Sequence, residues 1–306
     1  MRNLFLFLGL ALLLGCTPAP RTKTVNFIVA SDMGRREESE QQNIAALLAR
    51  QVEESKIDFV AVAGDPIHDE GVKSVDDEEW KLKFENVYTA EALQKVPFYV
   101  ASGNHEYRGS IQAILDYSQK SERWNAPARY YSMERPIGKG EQKALFIFID
   151  TTPLIDRYRV EEGYSDAGSQ DRERQLYWLD STLFTSTSQW KFVIGHHPIY
   201  ADTEKSVGER TDMQKRVGEL IEKRKVDFYI SGHIHNFQYI KPVGKTVNYI
   251  VNSSASLSRE VSPIEATVFC SRDTGFSVFT VTAESVIFSF VNHTGDMIYR
   301  KTIVKE

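Results

Sequence analysis

The feature that most constrains this chain is a repeated pattern in which an apolar run leads directly into side chains that can bind metal or move a proton. The run at 96–101 leads into Gly103-Asn104-His105-Glu106, and the same pattern recurs at least four more times. Apolar runs of this length are typical of buried strands, and Gly103 is expected to let the chain turn sharply. Ligands of open α/β sheets gather beyond the carboxyl ends of the strands. The pattern therefore predicts one site assembled from many strand ends.

Strand-like and helix-like segments alternate through the first three quarters of the chain. We predict strands at 25–30, 58–63, 96–101, 145–149, 190–194 and 226–230, and helices at 41–55, 76–88, 111–120, 170–183 and 213–225. After residue 247 the chain consists of short β-rich runs separated by turn residues, which we interpret as mainly antiparallel strands closing the domain. The expected fold class is α/β, with two packed mixed sheets flanked by helices.

The net charge limits the kinds of partner the chain can bind, and the cysteine content argues against a disulfide framework. The net charge is −5 and no long basic run occurs, which argues against nucleic acid as a partner. The two cysteines, Cys16 and Cys270, are too far apart in the sequence to suggest a disulfide framework. Cys270 lies in an apolar run and is predicted to be a buried hydrophobic residue.

The first residues are interpreted as a targeting signal. Arg2 precedes an apolar stretch at 4–14, and Leu13-Leu14-Gly15-Cys16 resembles a bacterial lipobox, in which the chain is cut before a lipid-carrying cysteine. An ordinary cleaved signal with a chance cysteine is the alternative. We therefore expect a signal peptide at 1–15, a lipidated Cys16 with a tether to residue 24, and a folded domain at 25–306. This arrangement places the protein on the bacterial cell envelope, held to the membrane by its N-terminal lipid.

Histidines concentrate in the loops that follow the predicted strands. Six of the seven lie there, namely His68, His105, His196, His197, His233 and His235. Asp32, Asp65 and Asn104 occupy similar positions, so the candidate donors are carboxylates, imidazoles and an amide without a thiol. Such a set suits Fe, Mn or Zn better than Ca or a thiolate cluster. It is large enough for two ions, with Asp65 as the shared carboxylate.

Two neighbouring metal ions favour one kind of chemistry. They hold a phosphate oxygen, acidify a bound water and stabilise the charge of an in-line displacement. A nearby imidazole outside the ligand set can donate a proton to the leaving group. The residues therefore indicate hydrolysis of a phosphate ester.

Five ordered motifs carry a family resemblance. They are Asp32-x-Gly34, Gly64-Asp65, Gly103-Asn104-His105-Glu106, Gly195-His196-His197-Pro198 and Gly232-His233-x-His235, and together they resemble the signature of calcineurin-like metallophosphoesterases. Asp-x-Gly in the first motif, with the segments 96–100, 123–127 and 175–179, is similar to the purple acid phosphatases, especially the small tartrate-resistant type. The resemblance covers residues 25–300. It implies a dinuclear-metal phosphomonoesterase acting on a small phosphorylated substrate.

The resemblance also implies roles for individual residues. One metal would be held by Asp32, Asp65, His68 and His235, and the other by Asp65, Asn104, His196 and His233. His105 would contact the substrate and donate a proton, and Glu106 would orient an imidazole. His197 would either contact the substrate or support its loop.

His68 departs from the family pattern, because purple acid phosphatases have a tyrosine at this place. An imidazole there favours a pair of divalent ions over ferric iron. The alternative is that His68 faces solvent and binds nothing.

Two other functions remain open. A phosphodiesterase or nucleotide hydrolase could use the same metal core, because substrate choice depends on the loops, and the loop at 199–211 differs from that of the animal enzymes. A non-catalytic binding lipoprotein of the envelope is the third interpretation. The oligomeric state is left open.

Overall fold

The computed structural model describes residues 23–35, 39–205 and 207–305. Its strands are β1 (Val25–Ala30), β2 (Phe59–Ala63), β3 (Phe98–Ala101), β4 (Trp124–Asn125), β5 (Tyr131–Pro136), β6 (Lys143–Phe148), β7 (Trp190–Ile194), β8 (Phe228–Ser231), β9 (Phe237–Ile240), β10 (Asn248–Val251), β11 (Thr267–Ser271), β12 (Gly275–Val281), β13 (Ser285–Asn292) and β14 (Met297–Val304). Its α-helices are α1 (Ser39–Glu54), α2 (Glu91–Gln94), α3 (Ile111–Asp116), α4 (Asp156–Val160), α5 (Ser165–Ser169), α6 (Arg172–Thr185), α7 (Val207–Met213) and α8 (Glu219–Lys223). The predicted signal peptide and Cys16 lie outside the described residues.

The strands form two seven-stranded mixed sheets. The first has the order β14-β13-β12-β1-β2-β3-β4, and the second has the order β11-β9-β10-β8-β7-β6-β5. Strands β1 to β4 run parallel in the first sheet, as β6, β7, β8 and β10 do in the second. Antiparallel strands complete each sheet on the outside. The predicted fold class is confirmed.

Alternating side chains along each strand explain the layering. In β1, Phe27 and Val29 pack between the sheets, whereas Ile28 and Ala30 pack in the helical layer that contains α1. A strand buried on both faces has a nearly continuous apolar sequence, as β1 does. Phe27 contacts Phe146 of the opposite sheet edge to face, with ring centroids 5.2 Å apart. The interface between the sheets is thus an aromatic core, and a helical layer covers each outer face.

Most predicted elements are present, with some differences at their boundaries. The predicted helix 213–225 begins earlier, at Val207, and is interrupted by a π-helical turn over Gln214–Gly218. Strands β4, β5 and β9 and helices α2, α4 and α5 were not predicted. The exposed positions of β5 alternate with half-buried ones, so its sequence lacks the apolar run that marks a central strand.

The prediction for Cys270 is wrong, because this residue is only half-buried. It lies on β11, the edge strand of the second sheet, which pairs only with β9 among the described strands. An apolar sequence at a sheet edge does not guarantee burial, since one side of the strand has no neighbour. Among the described residues, no helix has the length and apolar character needed to cross a membrane.

Candidate metal centre

The site forms where the carboxyl ends of parallel strands from both sheets meet. The loops after β1, β2 and β3 supply donors from the first sheet, and the loops after β7 and β8 supply donors from the second. The seven predicted ligands are all buried: Asp32, Asp65, His68, Asn104, His196, His233 and His235. The two sheets thus bring together residues that are up to about two hundred positions apart in the chain.

Asp65 lies at the centre of this cluster. Its Oδ2 atom is 3.0 Å from Nε2 of His196 and 3.6 Å from Nε2 of His68. Its Oδ1 atom accepts a hydrogen bond of 3.0 Å from the backbone amide of His105. One carboxylate oxygen therefore faces members of both predicted ligand sets, as a bridging ligand must.

The first ligand set contains Asp32, His68 and His235, whose donor atoms lie within 4.8 Å of one another. Oδ1 of Asp32 is 3.0 Å from Nε2 of His235. Neither ring nitrogen of His68 has a hydrogen-bond partner among the described residues. Its side chain is fully buried, which rules out the alternative in which it faces solvent. An unsatisfied buried imidazole is costly unless a group from outside the chain binds it.

The second ligand set contains Asn104, His196 and His233. Nε2 of His196 is 3.2 Å from Oδ1 of Asn104 and 3.0 Å from Nδ1 of His233. The backbone carbonyl of Ala63 accepts a hydrogen bond of 3.0 Å from Nδ1–H of His196. That hydrogen bond leaves the Nε2 lone pair of His196 directed at the centre of the site.

The backbone is strained at these ligands. Four of the five non-glycine residues with positive φ in the described chain are predicted ligands: Asp32 at 51°, Asp65 at 48°, His233 at 73° and His235 at 58°. The left-handed conformation costs roughly 1–2 kcal/mol for a residue with a side chain. Such strain persists where the surrounding fold enforces it, and it concentrates at functional sites.

Two glycines allow the loops to approach each other. Gly64 has a φ of +84°, and a Cβ atom there would lie 2.2 Å from Nδ1 of His196. Gly103 was expected to permit a sharp turn, but its φ is not positive. It is needed for space, because a Cβ atom would lie 2.1 Å from Oδ1 of Asp65.

Burial and neighbouring charges set the protonation states. Burial alone would raise the pKa of Asp65, but His196 holds it well below its usual range. Burial alone would lower the pKa of His196, but Asp65 raises it to about 9. For His68, His233 and His235, burial prevails and lowers the pKa. These three imidazoles are neutral at pH 7 and ready to ligate a metal ion, whereas His196 must first release a proton.

The residues present fit a pair of metal ions. The donors are ionised carboxylates, imidazoles and one amide, and several of their polar atoms have no hydrogen-bond partner in the described chain. Asp32, His68 and His235 would hold one ion, and Asn104, His196 and His233 the other, with Asp65 shared. Imidazole and carboxylate ligands are those that Fe, Mn and Zn accept.

His105 differs from the ligands because its side chain is 16% exposed. Its Nδ1–H donates a hydrogen bond of 2.6 Å to the carbonyl oxygen of Asp69. Nε2 is left at the rim of the site, 3.8 Å from Oδ2 of Asp65. An imidazole in this position can reach a substrate bound at the centre.

Glu106 does not orient an imidazole as the resemblance implied. Its Oε1 atom accepts a hydrogen bond of 3.2 Å from the amide of Ile67, and Oε2 accepts one of 2.7 Å from the amide of Gly103. Burial, together with repulsion from Asp65, raises the pKa of Glu106 to about 8. Glu106 therefore ties the loop after β2 to the loop after β3.

His197 is fully buried behind the ligands. Its Nδ1 atom lies 2.7 Å from Oγ1 of Thr151, which also accepts hydrogen bonds from the amides of His196 and His197. Its ring packs against those of Tyr158 and His233, with centroids 5.2 and 4.3 Å away. This environment favours loop support over substrate contact.

Glu209, a buried carboxylate on α7, was not among the residues predicted from the sequence. Its Oε2 atom accepts a hydrogen bond of 3.0 Å from Nε2 of His233, and Oε1 accepts from Tyr158 (2.9 Å) and Arg157 (3.1 Å). The contact fixes the ring proton of His233 on Nε2 and leaves Nδ1 free to face His196. No motif marks Glu209, because its partner is on a distant strand end.

Replacing Glu209 with glutamine is expected to weaken metal binding about 10- to 100-fold, the usual cost of losing a partner that orients a ligand. The amide has a similar shape, but it removes the negative charge beside His233. The measurement is a competitive chelator titration of the purified variant. Glu219→Gln on α8 is the matched control, and equal metal affinities for the two variants would contradict the assigned role.

Lys205, in the divergent loop at 199–211, was also not among the predicted site residues. Its Nζ donates a hydrogen bond of 2.7 Å to the backbone carbonyl of His233 and lies 3.3 Å from Nδ1 of the same residue. Burial, followed by repulsion from Arg259, lowers the pKa of Lys205 to about 8. Lys205 lines a cleft of about 1480 Å³ beside the metal-binding loops.

Comparison with known proteins places this site in a family. The model of the calcineurin-like phosphoesterase family matches residues 25–237. Purple acid phosphatase 4 of Arabidopsis thaliana is 33% identical over 240 residues, which cover 76% of this chain and 68% of that protein. Tartrate-resistant acid phosphatase type 5 of Homo sapiens is 28% identical over 251 residues, which cover 79% of this chain and 74% of that protein.

Solved structures agree on the fold. GAP50, the anchor in the inner membrane complex of Plasmodium, superposes with a TM-score of 0.78 at 23% identity, covering 92% of this chain and 89% of that chain. Purple acid phosphatase PPD1 of Lupinus luteus gives a TM-score of 0.62 at 18% identity, covering 93% of this chain and 54% of that chain. The chain therefore belongs to the calcineurin-like phosphoesterase family and to its purple acid phosphatase branch, whose members are metal-dependent hydrolases of phosphoric esters.

Proposed function

We propose that this protein is a phosphomonoesterase that uses two divalent metal ions and is attached to the bacterial cell envelope by a lipid. One observation carries the catalytic part of this proposal. The Oδ2 atom of Asp65 lies between His196 and His68, which belong to the two ligand sets. A complete ligand set also argues against a non-catalytic binding role, since such a role would not need buried donors without partners.

The side chains divide the work of hydrolysis. The metal pair, when bound, supplies electrophilic stabilisation of the phosphate and an acidified water. His105 is placed to donate a proton to the leaving oxygen from Nε2, because its Nδ1 proton is held by the carbonyl of Asp69. Glu106 fixes the loop that carries His105, since its carboxylate binds the amide of Gly103.

A comparison of ester classes tests the proposal against the diesterase alternative. We expect the purified protein, supplied with Mn²⁺ or Zn²⁺, to hydrolyse 4-nitrophenyl phosphate with a kcat/KM at least about 100-fold higher than that for bis(4-nitrophenyl) phosphate. Each diester has one negative charge fewer for the cationic site to bind. A higher kcat/KM for the diester would refute the monoesterase proposal in favour of the diesterase alternative.

The proposal of two divalent ions rests on His68. A neutral imidazole carries less negative charge than a tyrosinate and so suits divalent ions better than ferric iron. The protein purified with its native metals is expected to be colourless or nearly so, as recorded in a visible spectrum alongside elemental analysis. A strong purple band that persists in His68→Ala would show that a tyrosinate binds ferric iron and would refute the divalent pair.

The proposed anchor is the thiol of Cys16. Two acyl chains hold a protein on a membrane far more firmly than one does, and the Leu13-Leu14-Gly15-Cys16 segment is the sequence reason to expect them. Cys16→Ser is expected to leave the membrane fraction or to retain its signal peptide when expressed in a bacterium. Mass spectrometry of the wild-type protein is the complementary measurement, and an unlipidated, soluble protein would contradict the anchor.

A further inference from the structure

The first strand of the domain begins at the end of the sandwich opposite the metal centre. Strand β1 starts there at Val25, and Asp32 lies beyond its other end. A strand of six residues spans about 20 Å, so the start of β1 is roughly that far from the ligands. The loops that precede the other parallel strands lie at the same end, because the carboxyl ends of those strands meet at the site. We call it the distal end.

The proposed tether reaches the domain at the distal end. The backbone of Lys23 pairs with that of Gly138, with N–O distances of 2.9 and 2.7 Å. Gly138 lies in the loop between β5 and β6, which leads into the parallel strand β6. Lys23 is seven positions after Cys16, and seven residues reach at most about 25 Å. A lipid on Cys16 would therefore keep the distal end, rather than the metal centre, close to a bilayer.

Apolar side chains from three separate elements are exposed at the distal end. Val243 in the turn between β9 and β10 is 95% exposed, Phe184 near the end of α6 is 70% exposed, and Val304 at the end of β14 is 65% exposed. Single exposed apolar residues are ordinary on a folded protein. A group of them at one end of a domain marks an interaction surface.

Contacts and strand registers place these three residues at the same end. The pairing of β1 with β12, β12 with β13 and β13 with β14 puts Val304 at the end where β1 begins. The guanidinium carbon of Arg224, in the loop before β8, lies 4.7 Å from the ring centroid of Phe184. Val243 is in the turn that leads into β10, which runs parallel to β8. The surface thus draws on both sheets and on the helical layer.

The charges of the distal end are close to balance. Ion pairs neutralise several of its cations, namely Lys143 with Glu134, Arg224 with Asp180, and Lys305 with Asp227. Its other charged side chains are of both signs, among them Lys23, Lys139, Lys245, Glu141 and Glu284. We therefore expect the exposed apolar side chains, rather than net charge, to make the main contact with a partner.

We propose that the distal end is a membrane-docking face, and that its partner is the phospholipid bilayer that holds Cys16. Val243, Phe184 and Val304 enter the boundary between headgroups and acyl chains, where apolar side chains reach about 5–10 Å deep. Lys245 and Lys305 flank two of them and keep their ammonium groups in the polar layer. This inference rests on the proposed lipid anchor, because a short tether raises the effective concentration of the bilayer at a weakly binding face.

Docking in this way fixes the direction in which the site opens. The metal centre is held roughly 20 Å from the bilayer, at the far end of the parallel strands. Phosphate esters dissolved in the aqueous phase reach the site, whereas the lipid headgroups of the same membrane do not. The substrates are therefore water-soluble esters rather than phospholipids of the anchoring bilayer.

Two exposed valines at opposite ends of the domain give a matched test. Val160 on α4 is 86% exposed and lies at the metal end, where Tyr158 of the same helix packs against His197. Val243→Cys and Val160→Cys, each combined with Cys270→Ser, are labelled with bimane and reconstituted as lipoproteins in phosphatidylcholine vesicles that contain a chain-nitroxide phosphatidylcholine. Quenching at 243 is expected to exceed that at 160 at least about threefold, because a docked side chain lies within the interface. Equal quenching, or stronger quenching at 160, overturns the docking face.

A second substitution tests whether the exposed apolar residues act together. Phe184→Asp is expected to lower the quenching at 243 by about half or more, because a carboxylate resists transfer out of water. Val160→Asp is the control in the same labelled background and is expected to leave the quenching unchanged. Equal effects of the two substitutions contradict a face that includes Phe184.

Mass spectrometry of the labelled protein separates this inference from the proposed anchor. If Cys16 carries lipid, equal quenching at the two positions overturns the docking face and leaves the anchor standing. If Cys16 carries none, the anchor is refuted, and the measurement is repeated with Cys16→Ser added and vesicles supplied from outside. Stronger quenching at 243 then supports the face on its own, and equal quenching overturns it.

Discussion

Replacing Asp65 with asparagine is expected to lower kcat/KM for a phosphate monoester by more than about 100-fold and to reduce metal retention. The loss should exceed that of a partner that only orients a ligand, which is itself about 10- to 100-fold. The reason is geometric, because Oδ2 of Asp65 faces both His196 and His68. The substitution also removes the negative charge that raises the pKa of His196. Elemental analysis after dialysis, alongside steady-state kinetics, measures both effects.

The control for this variant is Asp180→Asn. Asp180 lies on α6, paired with Arg224 at 2.7 Å, and has no contact with the site. Its activity and metal content are expected to match those of the wild-type protein. If Asp65→Asn turned over substrate as fast as Asp180→Asn, the assignment of the ligands would be wrong.

Replacing His105 with alanine is expected to lower kcat about 100-fold or more while leaving the metal content near normal. General acid catalysis by a positioned side chain contributes about 10²- to 10⁴-fold. His105 is the candidate because it is partly exposed at the rim, while the seven predicted ligands are buried. Its Nε2 atom is free to carry the transferred proton, since Nδ1 is bound to the carbonyl of Asp69.

The leaving group offers a sharp test of that role. A good leaving group such as 2,4-dinitrophenolate departs without a proton, whereas phenolate needs one. The defect of His105→Ala should therefore be large with phenyl phosphate and much smaller with 2,4-dinitrophenyl phosphate. An equal defect with both substrates, or a loss of metal in the variant, would mean that His105 is not the proton donor.

The donors at strand ends could be predicted from the sequence. The apolar run identifies the strand, and the parallel topology places the residue that follows it at the site. A buried parallel strand has an apolar sequence, and the residue after it lies at the edge where ligands gather. Asp32, Asp65 and His196 follow such strands, and the structure brings them within 4.8 Å of one another. The left-handed backbone conformation of Asp32 and Asp65, by contrast, could not be predicted from their residue types.

Residues that act through a distant partner could not be predicted in the same way. Glu209 lies on helix α7, whereas its partner His233 lies in the loop after β8, 24 positions further along the chain. Lys205 was visible as a lysine in a divergent loop, but its contact with the carbonyl of His233 depends on how that loop folds back. Glu106 was noticed, yet its partners are backbone amides, which have no sequence signature. Sequence patterns thus predict which residues supply donor atoms better than they predict the contacts that hold those residues in place.

The most direct test of the dinuclear phosphatase is a metal titration of activity. Metal-free protein is supplied with increasing Mn²⁺ or Zn²⁺, and hydrolysis of 4-nitrophenyl phosphate is recorded against the number of ions bound per chain. Activity is expected to be absent without metal and to reach its maximum at two bound ions, since the seven predicted ligands form two sets that share Asp65. Full activity at one bound ion, or hydrolysis by the metal-free chain, would contradict the account.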